Sequence, residues 1–154
     1  MSRLSPGDAA PTFSLTNQDG TKVTLASFKG QRVVLYFYPA DDTPGCTKEA
    51  CQFNDDLSGF NDLGVVVLGL SPDDAASHQK FRAKYGLRFD LLSDPTREVM
   101  AAYGAYGEKM MYGKKVTGVI RSTFLISKSG RIERAWYGVR ADGHAAKVLA
   151  SLNA

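Results

Sequence analysis

Only two cysteines, two histidines and one tryptophan occur among the 154 residues. A structural zinc site takes four Cys or His ligands, commonly with two residues between paired cysteines; neither that spacing nor a companion pair is present. The Cys-x-x-Cys of a thioredoxin-type exchange motif is missing as well. Haem chemistry would need an axial ligand, and His78 and His144 fall in predicted helices where they are expected to face solvent. No apolar run approaches the roughly 20 residues needed to span a bilayer. The longest, around Gly64 to Leu70, has the length of a strand.

Charge of one sign is equally scarce. Nineteen Lys and Arg stand against sixteen Asp and Glu, a net of +3, and the basic residues are scattered along the chain. This argues against nucleic acid as the main partner. The N-terminal MSRLSPGD has one basic residue followed by turn formers, without the apolar stretch of a secretory leader, so a cytoplasmic location is expected. A reducing compartment does not favour a structural disulfide, which leaves chemistry as the livelier role for the two cysteines.

Length and composition, 44% hydrophobic and 23% charged, fit one globular domain spanning 1–154. Pro11 to Leu15, the turn Asn17 to Gly20 and Val23 to Leu25 read as a hairpin flanking a main sheet. Arg32 to Pro39 (RVVLYFYP) is a β-branched and aromatic run of the kind buried on both faces. The loop Ala40 to Gly45 leads into a helix beginning near Cys46, whose apolar spacing continues through Phe53, Leu57, Phe60 and Leu63. Val65 to Ser71 is a second buried strand, and a helix follows from Pro72 through Phe81 and Tyr85. Leu91 to Ser93 is a short strand and Arg97 to Tyr103 a short helix. Tyr106 to Val116 reads as a Gly- and Lys-rich loop. Arg121 to Ile126, a turn at Ser129-Gly130 and Ile132 to Tyr137 form an antiparallel hairpin, and His144 to Leu152 a closing helix. The expected class is α/β, a mixed sheet with helices on both faces and right-handed parallel crossovers.

Cys46 falls at a helix N-terminus, where backbone N–H groups and the helix dipole favour a thiolate. The alternative is a small buried hydrophobe. Cys51 lies five residues on. In a regular helix that spacing means about 140° of rotation and a rise of roughly 7.5 Å. That exceeds the usual disulfide reach of about 7 Å between Cα atoms, so a Cys46–Cys51 bond requires the first turns of the helix to unwind. Three further residues are placed to assist a peroxide-reducing thiolate. Thr43 carries a hydroxyl that both donates and accepts, Arg121 is a fixed cation at a core strand, and Pro39 sets the strand exit and can shield the sulfur. Each has a plain structural alternative: a capping residue, a surface charge, a strand terminator. Glu49 suits either a partner of Arg121 or a favourable acid in the first helical turn.

Taken together, Pro39-x-x-x-Thr43-x-x-Cys46 (PADDTPGC) resembles the active-site signature of the peroxiredoxins. The longer YFYPADDTPGCTKEACQFND is similar to their bacterioferritin comigratory protein branch, also called peroxiredoxin Q. The opening Gly7-Asp8-x-x-Pro11-x-Phe13, LLSDP at 91–95, YGEKMMYGKK and Arg121-Ser122-Thr123-Phe124-Leu125-Ile126 extend the resemblance over nearly the whole chain. It implies a thioredoxin-like fold and a thiol peroxidase acting on hydrogen peroxide and organic hydroperoxides without metal, haem or flavin. It further implies that peroxidatic Cys46 forms a sulfenic acid, that resolving Cys51 condenses with it, and that thioredoxin or a similar dithiol reduces the disulfide. Arg121, Thr43 and Pro39 complete the implied site. An intramolecular disulfide needs no partner subunit, so a monomer is expected, with a weak homodimer as the alternative. A general disulfide oxidoreductase of the same fold and a non-enzymatic redox switch are the competing readings. Tyr103, Tyr106, Met110, Met111 and Tyr112 are expected to pack internally, with an apolar substrate or dimer face as the other possibility.

Overall fold

The computed structural model describes residues 3–152; Met1 and Ser2, the start of the segment read for a leader, lie outside the described residues. In chain order the elements are β1 (Ser14–Thr16), β2 (Lys22–Thr24), a 3-10 turn (Leu25–Phe28), β3 (Arg32–Phe37), α1 (Pro44–Asp55), α2 (Leu57–Asp62), β4 (Val65–Ser71) and α3 (Ala75–Tyr85). There follow β5 (Asp90–Ser93), α4 (Glu98–Ala102), β6 (Tyr106–Met111), β7 (Lys114–Val119), β8 (Ser122–Ile126), β9 (Ile132–Tyr137) and α5 (His144–Ser151).

Seven strands form one mixed sheet in the order β2-β1-β5-β4-β3-β8-β9. The centre is β3, parallel to β4 (Val34 opposite Val67) and antiparallel to β8 (Leu35 opposite Phe124). Because successive side chains in a strand point to opposite faces, the apolar run of β3 is divided between two cores. Val33, Leu35 and Phe37 join the cluster on one face, with Phe124, Met100 and Tyr103. Val34, Tyr36 and Tyr38 join the other, with Phe53, Phe60, Phe81 and Val148 from α1, α2, α3 and α5. Helices therefore lie on both faces as expected, though unequally: only α4 and the 3-10 turn cover the Val33, Leu35 and Phe37 face, while α1, α2, α3 and α5 cover the other. The N-terminal hairpin is present and extends the sheet by a single β1–β5 pairing, Thr16 with Ser93. Among the described residues no helix is long and apolar enough to cross a membrane.

The structure corrects four readings. The helix from Cys46 does not run unbroken to Leu63: Asp56, with φ −91° and ψ 3°, separates α1 from α2, and Leu63 is exposed. The stretch Tyr106 to Val116 is largely an antiparallel hairpin, β6–β7, turned by Tyr112 and Gly113, both at positive φ. That pair of left-handed residues is the geometry of a type I′ loop, which fits the right-handed twist of two-residue hairpins. Of the aromatic and methionine group, Tyr103 packs in the core, but Met110, Met111 and Tyr112 at the hairpin tip are exposed.

The fourth correction concerns the histidines, both of which are buried. His144 opens α5 with Nε2 2.8 Å from Thr123 Oγ1, edge-on to Phe53 and Trp136. Burial, reinforced by the positive charges of Lys147 and Arg121, lowers its pKa from 6.5 to about 4. Between those values the unfolded chain binds a proton that the folded chain refuses, so stability rises with pH across that window and falls as pH drops from 6.5 toward 4. At the full shift this is worth about 3 kcal/mol. Urea unfolding at pH 4.0 and 7.0 is expected to show that loss in the wild type but not in His144→Gln, the difference between the two profiles isolating this residue.

Candidate active site

Pro39 lacks the N–H that a further ladder bond would need, and the chain leaves the sheet there. The loop that follows turns through Asp42, held at φ 56°. Pro44 then begins α1 at the position where a missing N–H costs nothing. Cys46 occupies the third helical position, with 2% of its surface exposed.

Thr43 stands at the N-cap with extended backbone, yet its side chain makes no capping bond. Its hydroxyl instead donates to the Ala40 carbonyl at 2.9 Å, and the Thr43 carbonyl accepts the first α-helical bond from the Thr47 amide. The amides of Gly45 and Cys46 are therefore left without a capping oxygen. The first turn thus presents uncapped N–H groups, and the threonine oxygen at its N-cap keeps free lone pairs.

Arg121 immediately precedes β8 and reaches across to α1. One terminal nitrogen, Nη2, donates to Cys46 Sγ at 3.3 Å, and Nη1 donates to Glu49 Oε1 at 2.5 Å. Glu49 is fully buried, and its second oxygen has no partner among the described residues. Burial raises its pKa to about 7 in spite of the opposing pull of Arg121. Burial also works against the charge on Arg121, but Glu49, followed by Cys46, more than offsets it, and the guanidinium pKa ends up raised. The helix spacing of three residues puts Cys46 and Glu49 on one face, so a single guanidinium fork engages both. Gly45 makes room for this: a Cβ there would meet Arg121 Nη2 at 3.3 Å.

The structure thus brings together Cys46, Arg121 and Glu49, with Thr43 at the mouth of the same helix. Pro39 does not join this hydrogen-bonded cluster. It lines a neighbouring groove of about 410 Å³ with Pro72, Tyr106, Met111 and Val119. On the other side Arg121, Gly45, Lys48 and Arg140 border an open concavity of about 520 Å³. A more enclosed apolar recess around Ala10, Leu25, Phe28 and Val33 lies at the opposite end of β3 and is lined by neither cysteine.

Cys51 is half-buried within the same unbroken helix, and both thiols are free. Burial, followed by the charge of Asp55 one turn further on, raises the Cys51 pKa. The C-terminal half of α1 is firmly held. Phe53 stacks on Tyr36 with ring centroids 4.6 Å apart, Gln52 bonds Asp142 and the Gly143 amide, and Asn54 bonds the backbone of Gly86 and Arg88. Among the described residues no group of three or more His, Cys, Asp or Glu is arranged to hold a metal.

Sequence reasoning did not find the buried network below this site, in which His78 of α3 contacts Asp41 of the loop. An inward-facing histidine opposite an aspartate 37 residues away leaves no local signature.

Residues 6–135 match the AhpC/TSA family. A putative peroxiredoxin of Mycobacterium tuberculosis is 55% identical over 151 residues, covering 98% of this chain and 96% of the relative. Among solved structures, a peroxiredoxin Q of Xylella fastidiosa superposes with a TM-score of 0.92 at 39% identity, covering 99% and 98% of the two chains. The bacterioferritin comigratory protein of Xanthomonas campestris does so at 0.89 with 42% identity, covering 97% and 98%. The thioredoxin-like fold expected from the sequence is the fold of these neighbours. The chain belongs to the AhpC/TSA family, as a thiol-dependent peroxidase of the bacterioferritin comigratory, peroxiredoxin Q kind.

Proposed function

We propose that the chain, acting as one domain over 1–154, reduces hydroperoxides at Cys46 and uses Cys51 to resolve the product. The observation that carries this reading is the Arg121 guanidinium donating to a cysteine sulfur in the first turn of α1, beside amides that no side chain caps. Such donors stabilise negative charge developing on a peroxide oxygen, and they need no rearrangement to do so.

In the first step the Cys46 thiolate attacks the terminal oxygen of the hydroperoxide. An S–O bond forms, the O–O bond breaks, and the departing alkoxide takes up the proton given up by the thiol, leaving an alcohol or water. Thr43, whose own hydrogen goes to the Ala40 carbonyl, orients the peroxide by accepting a hydrogen bond from its O–H, and Pro39 keeps water from the sulfur. The Cys46 sulfenic acid then condenses with Cys51, forming the S–S bond and releasing water. Thioredoxin or a similar dithiol, of the kind a reducing cytoplasm supplies, returns both cysteines to thiols by exchange. The Xanthomonas relative is described as reducing alkyl peroxides, which supports organic hydroperoxides as substrates beside hydrogen peroxide.

Condensation requires α1 to open, because both cysteines lie within Pro44–Asp55 at a spacing too long for a disulfide. Opening also frees Cys51 from burial and from Asp55, the two causes that hold it as a thiol. Since all of this occurs within one chain, a monomer suffices.

Cys51→Ser tests the assignment. With thioredoxin and its reductase present, the wild type is expected to consume peroxide continuously. The variant is expected to consume about one equivalent at an undiminished initial rate and then stall, with mass spectrometry finding Cys46 as a sulfenic acid or a mixed disulfide. Sustained turnover by Cys51→Ser at the wild-type rate would remove Cys51 from the cycle.

A further inference from the structure

The loop between Pro39 and Thr43 must present a hydroxyl and a helix terminus to the same small substrate, and within it the Thr43 hydroxyl bonds the Ala40 carbonyl. The loop's conformation is held from α3. Asp42, exposed and in the left-handed region, is tied outward to Lys84 Nζ at 2.8 Å and to the Tyr85 hydroxyl at 2.6 Å. Asp41 turns inward, with only 4% of its side chain exposed. Its Oδ1 accepts from the Tyr38 hydroxyl at 2.6 Å, and its Oδ2 accepts from Ser77 Oγ at 2.8 Å and lies 2.7 Å from His78 Nδ1. The Asp41 amide donates to Asp73 Oδ2, which also accepts from Ser71 Oγ.

His78 joins this cluster to the sheet. Its ring is completely buried, and each nitrogen faces an oxygen. The Leu92 carbonyl, 3.0 Å from Nε2, can only accept, so Nε2 carries a hydrogen. On the other side the Asp41 carboxylate closes on Nδ1 at 2.7 Å. Both nitrogens are thereby satisfied, and the imidazole is fixed between β5 on one side and the loop on the other. Burying such a pair costs desolvation that an apolar contact would avoid, and its best-attested return is a unique geometry.

We propose that His78 is a positioning residue for the peroxide reaction: through Asp41 it fixes the Pro39–Thr43 loop, and with it the Thr43 hydroxyl, against the start of α1. The inference rests on the peroxidase reading above. His78 touches neither Cys46 nor substrate. Its effect is confined to reactions that need the loop's alignment. Attack on a peroxide requires sulfur and two oxygens in line, with the leaving oxygen stabilised. Alkylation of the same sulfur by iodoacetamide makes no demand on Thr43.

The test compares two rates on the reduced protein without recycling: Cys46 oxidation by hydrogen peroxide in rapid mixing, and Cys46 alkylation by iodoacetamide. Wild type, His78→Leu, Asp41→Asn and the double variant are measured well below their melting temperatures. Misplacement of a positioning group by about 1 Å typically costs up to 100-fold, so peroxide oxidation is expected to slow roughly 10- to 100-fold in each single variant. Alkylation is expected to stay within about twofold, and the double variant to be no slower than the worse single, as for two residues acting through one contact. A folded His78→Leu that reacts with peroxide at the wild-type rate, or that loses alkylation in equal proportion, overturns the proposal. Should His78→Leu not fold, Ser77→Ala and Tyr38→Phe each remove one hydrogen bond to Asp41. A slowing selective for peroxide supports the proposal, and unchanged peroxide rates in both overturn it. A wild type unreactive toward peroxide at Cys46 overturns the peroxidase reading itself, an outcome distinct from a reactive wild type with an indifferent His78→Leu.

Discussion

Cys46→Ser is expected to consume peroxide no faster than buffer does, with a melting temperature close to that of the wild type. Serine keeps the shape of the side chain but not its chemistry. An alcohol does not ionise usefully near neutrality, and its oxygen does not attack the O–O bond. Arg121 and the uncapped amides would remain in place around an inert oxygen. The structural change is confined to one atom: Cys46 packs in the same buried cluster as Ala50 and Phe53, and serine keeps its place there with a smaller, more polar atom. Peroxide consumption followed with thioredoxin recycling checks this outcome, and measurable turnover by the serine variant would transfer the chemistry to the disulfide-exchange or redox-switch readings.

The second large effect is expected at Arg121, and it divides into two separable parts. Arg121→Met should slow the oxidation of Cys46 by roughly 10²- to 10³-fold, the usual cost of removing one donor aimed at developing negative charge. It should also destabilise the fold by about 3–5 kcal/mol at neutral pH, because the Glu49 carboxyl is left buried without its partner. The two parts respond differently to further change. Glu49, already raised to about 7 with its guanidinium in place, would rise further without it. A carboxyl with a folded pKa above its unfolded value weakens the fold as pH climbs between the two. The stability defect of Arg121→Met is thus expected to grow from pH 5 to pH 8. Adding Glu49→Gln should restore much of the stability but none of the rate. Denaturant unfolding across pH, alongside rapid-mixing oxidation, checks both. A double variant that recovers rate as well as stability would mean that Arg121 acts only as a counter-ion for Glu49.

The parts of the molecule that could be read from sequence are those where a local pattern and the tertiary environment agree. The run from Arg32 to Pro39 announces a strand covered on both faces because Val33 to Tyr38, odd and even, each meet an apolar layer. Pro39, Thr43, Pro44 and Cys46 encode strand exit, loop and helix start within eight positions. The pairing of Cys46 with Glu49 is implicit in helical spacing, and Arg121 was placed by its position at the head of a strand.

What escaped has physical causes. The hairpin β6–β7 lacks alternation since its sides are mostly solvated, and its register comes from its own ladder and a Tyr112-Gly113 turn that does not resemble the usual Asn-Gly. Helix α3, AASHQKFRAKY, looks polar all round apart from Phe81. The burial of His78 becomes favourable only once a carbonyl from β5 and a carboxylate from the loop arrive to bond its ring. His144 likewise enters the core because Thr123 and two aromatic rings receive it. Polar residues satisfied by distant partners look, in one dimension, like surface.

The twelve-residue helix that holds both thiols also bears on the energetics of recycling. In the proposed cycle the oxidised chain has exchanged several backbone hydrogen bonds of α1 for one sulfur–sulfur bond, and reduction lets the helix wind up again. With each such bond worth about 1 kcal/mol net, the recoil amounts to a few kcal/mol. At about 30 mV for every 1.4 kcal/mol, that places the couple tens of millivolts toward the oxidising side of an unstrained dithiol. The anchored end of α1, from Gln52 onward, sets where unwinding stops, and so sets the size of this bias. Electrons would flow downhill into the enzyme, and the refolded helix would shut behind them.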